Sequence, residues 1–335
     1  TKMLGRKGKT WLIGLVAGVV LYTITGFLIA PRAIKLWIES PNVSGPTCRL
    51  RVQQVYVNPF TMFLSFENVT LFGQENKVFV SATRAETKLW TVGMLQGEGP
   101  GRDIAVRDLL VRSADSDETM LAVPRAFVQS VTAGAGGNFI DATFARLEQP
   151  DATIVRDATG LTRWPAWPSV PGGERSAACI ALDGFEALGG TLRMKDDAVS
   201  PSVHLELHDA TATARRNPGR GAASTEINVE ARMGEAGTVS IEAQLGHPAG
   251  HHPDLFSLTA RNVELRPLSP YFRRMFGRDV VAGVGTATLQ QERHEATIRF
   301  DNHVSISGLT LGDPDPEAAG DNPPVELAIA LTTDA

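Results

Sequence analysis

Three imidazoles and a few grouped carboxylates are the residues of this chain most able to do chemistry. His247, His251 and His252 fall in the run HPAGHHPD. Three imidazoles at close range form a zinc ligand set, but no cysteine is near and the Pro and Gly content predicts a solvated loop. His204 and His208 stand four apart in an alternating segment, about 13 Å on a strand rising ~3.3 Å per residue, too far to share a metal. Asp115, Asp117 and Glu118 lack the glycine and closing glutamate that a calcium loop places at fixed offsets. Asp196 and Asp197 read as a turn. Gly5-Arg-Lys-Gly-Lys-Thr10 ends like a phosphate-binding loop, yet Met3 stands where the first glycine belongs and no strand precedes it. Gly134-Ala-Gly-Gly137 lacks the dinucleotide spacing. There is no G-x-S-x-G, H-E-x-x-H or C-x-x-C. Asn42-Val-Ser44 and Asn68-Val-Thr70 are formal glycosylation sequons, meaningful only in a eukaryotic secretory pathway. These residues assemble no catalytic constellation, so the expectation is a protein that is not an enzyme, with no metal and no cofactor.

The elements around them are more telling. From Lys9 to Arg32 the chain carries no charge for 22 residues, TWLIGLVAGVVLYTITGFLIAP. Roughly 20 helical residues cross a hydrocarbon core of about 30 Å. The anchor residues are Trp11, Leu12, Ile13, Leu15, Val16, Val19, Val20, Leu21, Ile24, Phe27, Leu28 and Ile29. Trp11 stands where an interfacial aromatic would, whereas Tyr22 is mid-span. A cleaved signal peptide has a shorter apolar run and a small-residue cleavage site; Phe27 to Pro31 is a poor one. Lys2, Arg6, Lys7 and Lys9 precede the span with no acid among the first ten residues, so the positive-inside rule predicts a cytoplasmic N-terminus and the bulk of the chain on the far side.

That bulk is acidic. The net charge is −5, and −9 once the four basic residues before the span are set aside. A nucleic-acid surface needs clustered Lys and Arg, so no nucleic-acid partner is expected. Cys48 and Cys179, with 130 residues between them, could form one bridge or stand as two thiols, and two thiols is the simpler reading.

Alternation with period two marks strands with one wet and one dry face. Val203, Leu205 and Leu207 alternate with His204, Glu206 and His208. Ile227, Val229, Ala231 and Met233 alternate with Asn228, Glu230 and Arg232, and Val239, Ile241, Ala243 and Leu245 with Ser240, Glu242 and Gln244. Phe60, Met62, Leu64 and Phe66 repeat the pattern, and then Val69 and Leu71 take it up after a phase change near Asn68, as at a bulge or bend. Val325 to Leu331 is a last strand. Helical signal is sparse: residues 31–39 extend the membrane helix, Leu89 to Leu95 form a short one, and Pro267 to Phe276 form another, with proline in the first turn and Gly277 as its cap. The expectation is a mainly β, predominantly antiparallel architecture. Its parts are a basic tail 1–9, a membrane helix 10–31, a β module 32–163, a Pro/Gly-rich linker 164–175, and a second β module 176–335 that continues into a longer protein. On the residues alone, the dry faces read as an ordinary sandwich core.

Val55-Tyr-Val-Asn-Pro-Phe-Thr-Met-Phe-Leu-Ser-Phe-Glu-Asn-Val-Thr-Leu71 after such an anchor resembles the opening of the AsmA-like proteins of Gram-negative bacteria. The resemblance continues through Lys88-Leu-Trp90, Leu147-Glu-Gln-Pro-Asp-Ala-Thr-Ile-Val-Arg-Asp-Ala-Thr-Gly160, Leu265-Arg-Pro-Leu-Ser-Pro-Tyr-Phe272 with Gly283 downstream, and Val325-Glu-Leu-Ala-Ile-Ala-Leu331. The islands are scattered over residues 32–335 and none is catalytic. One departure is Leu161-Thr-Arg-Trp164, where the family usually has an Asn-Leu pair. The resemblance implies an inner-membrane protein, single-pass, with its bulk in the periplasm and its β-sheet curved into an open groove. It implies that the groove binds or conducts phospholipid between inner and outer membranes, in support of outer-membrane biogenesis. The groove lining would be Val203, Leu205, Leu207, Ile227, Val229, Ala231, Val239, Ile241 and Ala243. The partners would be phospholipids, the inner membrane and envelope or outer-membrane proteins. The alternative is a non-enzymatic envelope scaffold that assembles outer-membrane proteins without carrying lipid.

Overall fold

A computed structural model describes residues 6–40, 49–72, 77–88, 102–113, 118–133, 139–163, 179–217, 224–246, 254–294 and 297–314. The chain is mainly β, and its described residues form fifteen strands in a mostly antiparallel sheet, few short helices and one apolar N-terminal helix. The expected helix at Leu89 to Leu95, the 164–175 linker, the strand at Val325 to Leu331, Cys48, Asp115, Asp117, His247, His251 and His252 lie outside the described residues. The chain clusters into two compact units: residues 1–118, 123–143 and 166–181, and residues 119–122, 144–165 and 182–335.

The first unit opens with α1 (Arg6–Ile24), a π-helical turn (Thr25–Ile29) and α2 (Ala30–Ile38). Pro31 has no N–H to give and would crowd the preceding turn. The wide turn just ahead of it, with the Ala30 N–H donating to Thr25 O, accommodates it within one continuous helix. Gly14–Ile38 contains an 18-residue window with a mean hydropathy of 1.9 and is long and apolar enough to cross a membrane. The anchor side chains from Leu15 to Ile29 are exposed; Trp11, Leu12 and Ile13 lie in α1, with their side chains outside the described ones.

Strands β1 (Arg49–Asn58), β2 (Phe63–Phe72), β3 (Val78–Lys88) and β4 (Arg102–Arg112) follow as antiparallel neighbours. Their register lines up apolar rows: Val57, Leu64, Thr87, Ile104; Val55, Phe66, Ala85, Val106; Leu50, Leu71, Val80, Val111. Helix α2 lies on this face. Ile38 is buried with Val52 and Val55, and Ile34, Leu50, Val57, Phe66 and Val69 pack around them. The phase change falls at Asn68, whose φ is 49° and whose carboxamide donates to Gln53 Oε1 at 2.5 Å. Phe60 and Met62, expected to alternate within a strand, sit instead in the β1–β2 turn. The Asn58-Pro59 pair dominates there. The Asn58 side-chain oxygen accepts the N–H groups of Phe60 at 3.0 Å and Thr61 at 3.2 Å, a local turn bond that competes with the sheet ladder. Strands β5 (Thr119–Ala133) and β6 (Phe139–Glu148) come next in the chain.

The second unit contains β7 (Asp151–Arg156), β8 (Thr162–Arg163), β9 (Cys179–Asp196), β10 (Val203–Asn217), β11 (Ser224–Met233), β12 (Gly237–Gly246), β13 (Asp254–Glu264), β14 (Arg278–His294) and β15 (Thr297–Pro314). From β9 to β15 each strand pairs antiparallel with the next. Strand β7 departs from the pattern and pairs parallel with β9, Asp151 opposite Thr191 through Arg156 opposite Asp196. A parallel pair needs a long return connection, and the chain between β7 and β9 supplies one. Leu161-Thr-Arg163 folds back to pair β8 with β7. Helix α3 (Ser269–Phe276) follows a 3-10 turn (Arg266–Leu268) and ends at Gly277 with φ 66°, the left-handed cap the sequence predicts.

Candidate functional site

Directly opposed residues in a sheet share a face. Ile227 faces Ala243, Val229 faces Ile241 and Ala231 faces Val239. The rows continue into β13 at Phe256, Leu258 and Ala260, and into β14 at Gln291, Leu289 and Ala287. They reach β15 at Phe300, Asn302 and Val304. The six expected positions on β11 and β12 therefore form one contiguous apolar surface. It extends over residues the sequence reading did not single out, above all Leu258, Leu289, Phe300 and Val304. Their signal was present: Phe256, Leu258 and Ala260 alternate, as do Ile298 and Phe300.

The other three expected positions lie on β10 before an irregularity. Val203 faces Asp196, Leu205 faces Met194 and Leu207 faces Leu192. Beyond it, Ala212 faces Val229 and Ala214 faces Ile227. Asp209, with φ 51°, marks the shift, which moves the inward set from odd to even residue numbers and keeps the dry face continuous. Asn262, with φ 54°, does the same in β13, so that Val263 faces Gly285 after Ala260 faces Ala287.

Exposure separates the two ends of this surface. Among the nine expected positions, Val203 (1%) and Ala231 (7%) are buried, and the others are half-buried. Toward β15 the exposure rises, to 62% at Phe300. At the closed end Leu265 lies over the sheet, and a Cβ on Gly285 would stand 2.9 Å from its Cδ2. Val263, Leu265 and Val280 are buried there. Helix α3 is fastened by Asp279, which accepts from Ser269 Oγ at 2.8 Å and Arg273 Nε at 2.9 Å. Arg273 first and Ser269 second hold the Asp279 carboxyl below the usual carboxylate range. The Ser269 hydroxyl oxygen also accepts the Val280 N–H at 2.9 Å.

A second fastening joins α3 to β9 and β7. Asp196, read from sequence as part of a turn, ends β9 and is buried. Its carboxylate accepts from Tyr271 Oη at 2.6 Å, Arg156 Nη1 at 3.2 Å and the Ala198 N–H at 2.9 Å. The tyrosine bond, then the Ala198 amide and Arg156, hold this carboxyl below its ordinary value against the effect of burial. Burial and the Asp196 charge push Tyr271 up to about 12. Beside Arg156, the Asp157 carboxylate accepts from Thr159 Oγ1 at 2.6 Å, Thr159 N at 2.9 Å and Leu161 N at 3.1 Å, and Gly160 has φ 83°. The Arg-Asp-x-x-Gly run is thus a turn that delivers one arginine to one buried acid.

The opposite face of β11 to β15 is hydrophilic. It holds a hollow of about 560 Å³ lined by Glu226, Glu242, Gln244, Ser257, Glu292 and Arg299 among others. His204 and His208 are exposed, and His208 Nε2 lies 3.9 Å from Glu206. Among the described residues no group of three His, Cys, Asp or Glu side chains could hold a metal ion. Cys179 opens β9, and its side chain is outside the described ones.

No family model matches the chain, and no curated protein matches it by sequence.

Proposed function

We propose that this chain is a single-pass inner-membrane protein whose N-terminus is cytoplasmic and whose bulk stands in the periplasm. Its apolar sheet face, curved as a groove, binds or conducts phospholipid between the inner and outer membranes in support of outer-membrane biogenesis. The observation that carries this reading is the register of β9 to β15. It lines up rows of mostly apolar side chains, interrupted at Gln291 and Asn302, that are largely half-buried on β11 and β12 and become exposed toward β15, where a closed core would leave them buried. Acyl chains match such a surface, and head groups remain hydrated beside it. The hydrophilic hollow on the other face is not part of the lipid surface. The mechanism is diffusive and needs no covalent step, which agrees with the motif reading of a non-enzyme and with the AsmA-like resemblance.

The test is a photo-crosslinking amino acid placed in the full chain at Ile241 or at its neighbour Glu242, which point to opposite faces of β12. A phospholipid adduct at Ile241 and none at Glu242 is the expected result. Adducts at both positions, or at neither, overturn the lipid reading. Protein adducts at Ile241 in place of lipid favour the envelope scaffold that assembles outer-membrane proteins.

A further inference from the structure

The β1–β2 turn touches the apolar helix well inside its charge-free run. Tyr22 Oη donates to Pro59 O at 2.6 Å. The Phe60 ring meets Tyr22 edge-on at 5.7 Å between centroids, and Phe27 at 6.1 Å. A Cβ on Gly26 would fall 2.4 Å from Pro59 Cγ, so the glycine is what allows the turn to seat. Arg32 is the first charge after the span. At ~1.5 Å per residue, Gly26 lies about 9 Å and Tyr22 about 15 Å before it along the helix, within one leaflet of a hydrocarbon core of about 30 Å.

The chemistry of the turn suits that depth. Residues 58–62 read Asn-Pro-Phe-Thr-Met and carry no charge. Backbone polar groups in lipid need internal partners, and three groups of this turn have one. Pro59 has no N–H, its carbonyl takes the Tyr22 hydroxyl, and the Phe60 and Thr61 N–H groups go to Asn58 Oδ1. Phe60 is nevertheless 62% exposed, an aromatic ring on the outside of a turn whose first two amides and Pro59 carbonyl are bonded within the molecule. On a turn in water, that combination leaves an apolar ring unburied. On a turn in lipid, the ring is solvated by acyl chains.

We infer that the Asn58–Met62 turn is a second membrane contact, inserted beside the helix into the leaflet that faces the β-sheet, with Phe60 against the acyl chains. The inference rests on the proposed membrane anchor and adds a site where the sheet itself enters the lipid. It places the ends of β1 and β2 at the depth from which an acyl chain would leave the bilayer.

The experiment uses the full chain with Cys48→Ser and Cys179→Ser, carrying one NBD-labelled cysteine at Leu15, Phe60, Thr61 or Glu235. Each protein is reconstituted in dioleoylphosphatidylcholine vesicles with or without chain-brominated lipid, which quenches only fluorophores in the hydrocarbon. Quenching at Leu15, Phe60 and Thr61 with none at Glu235 is expected, and Gly26→Leu should reduce it at Phe60 while leaving Leu15 unchanged. Quenching at Leu15 without quenching at Phe60 or Thr61 overturns the inserted turn and leaves the anchor standing. No quenching at Leu15 overturns the anchor and the turn with it.

Discussion

Strands β1 to β4 and strands β11 to β15 follow the same rule, antiparallel pairing with one apolar face, yet they treat that face differently. On β1 and β2 a helix lies over it, and Ile34 and Ile38 of α2 close over Val52, Val55 and Phe66. On β11 to β15 the equivalent rows are half-buried at Val229 and Ile241 and exposed at Phe300 and Val304. The strand patterns do not differ in kind. What differs is a neighbour supplying its own apolar stripe, and a dry face becomes a core only where such a neighbour exists. A short segment covers only the end it reaches, as Leu265, just ahead of the 3-10 turn, does over Gly285.

Substitutions can break or sharpen this contrast. The largest effect expected is on lipid rather than stability. Ile241→Asp places a charge that acyl chains cannot solvate, so phospholipid recovered with the purified protein should fall to background while the circular dichroism spectrum is kept; Val229→Asp should match it. Unchanged lipid recovery from a folded variant removes these positions from the lipid surface. Next comes Leu64→Ala on the covered face. Leu64 is 5% exposed, and its loss should cost about 2–5 kcal/mol in urea unfolding. Tyr271→Phe should cost about 1–3 kcal/mol, because it strips a donor from a buried carboxylate. Its pH signature is specific. Tyr271 holds its proton up to about 12 in the folded chain against 10.0 ordinarily, so the folded state binds more protons between those values. Stability from this group is complete below pH 10 and is lost as pH rises toward 12, and a Tyr271→Phe protein should lack that alkaline loss. Asp196 acts in the other direction. Its lowered carboxyl contributes stability above the ordinary carboxylate range, lost as acid protonates it. The smallest effect is Leu289→Ala on the open face. Leu289 is 36% exposed, and a cost of about 1 kcal/mol or less is expected. A cost equal to that of Leu64→Ala would mean that the second face is covered too.

Much of this was legible in the sequence, for local reasons. Alternation identified β10, β11 and β12 because each wets one face, and β11 and β12 pair in the register that joins their apolar residues. Proline and Gly277 marked α3 because both act through their own backbone. Asn68 announced its phase change because Leu64 and Phe66 are even and Val69 and Leu71 odd. The same signal stood at Asp209, between Leu207 and Ala210, and at Asn262, between Ala260 and Val263. Other features depend on distant partners. Asp196 looked like a turn residue because nothing near it announces Tyr271, 75 positions away. Val203 carried the same strand signature as Val229, yet it is 1% exposed, on a strand, β10, against which the turn leading into α3 packs. Alternation placed Phe60 and Met62 in a strand, and the Asn58 side chain overrode it by capturing the next two amides.

The helix with its cap and β1 with the turn that follows it are joined at three levels: Tyr22 to Pro59, Lys35 Nζ to Gln53 O at 2.7 Å, and the Val52 N–H to Glu39 Oε1 at 3.3 Å. These ties span 18 residues, counted from Tyr22 in α1 to Glu39 at the C-cap of α2. An attachment of that length behaves as a bracket and not as a tether. A load on β1 therefore meets the helix at three heights along its length, where a single tie would carry it at one.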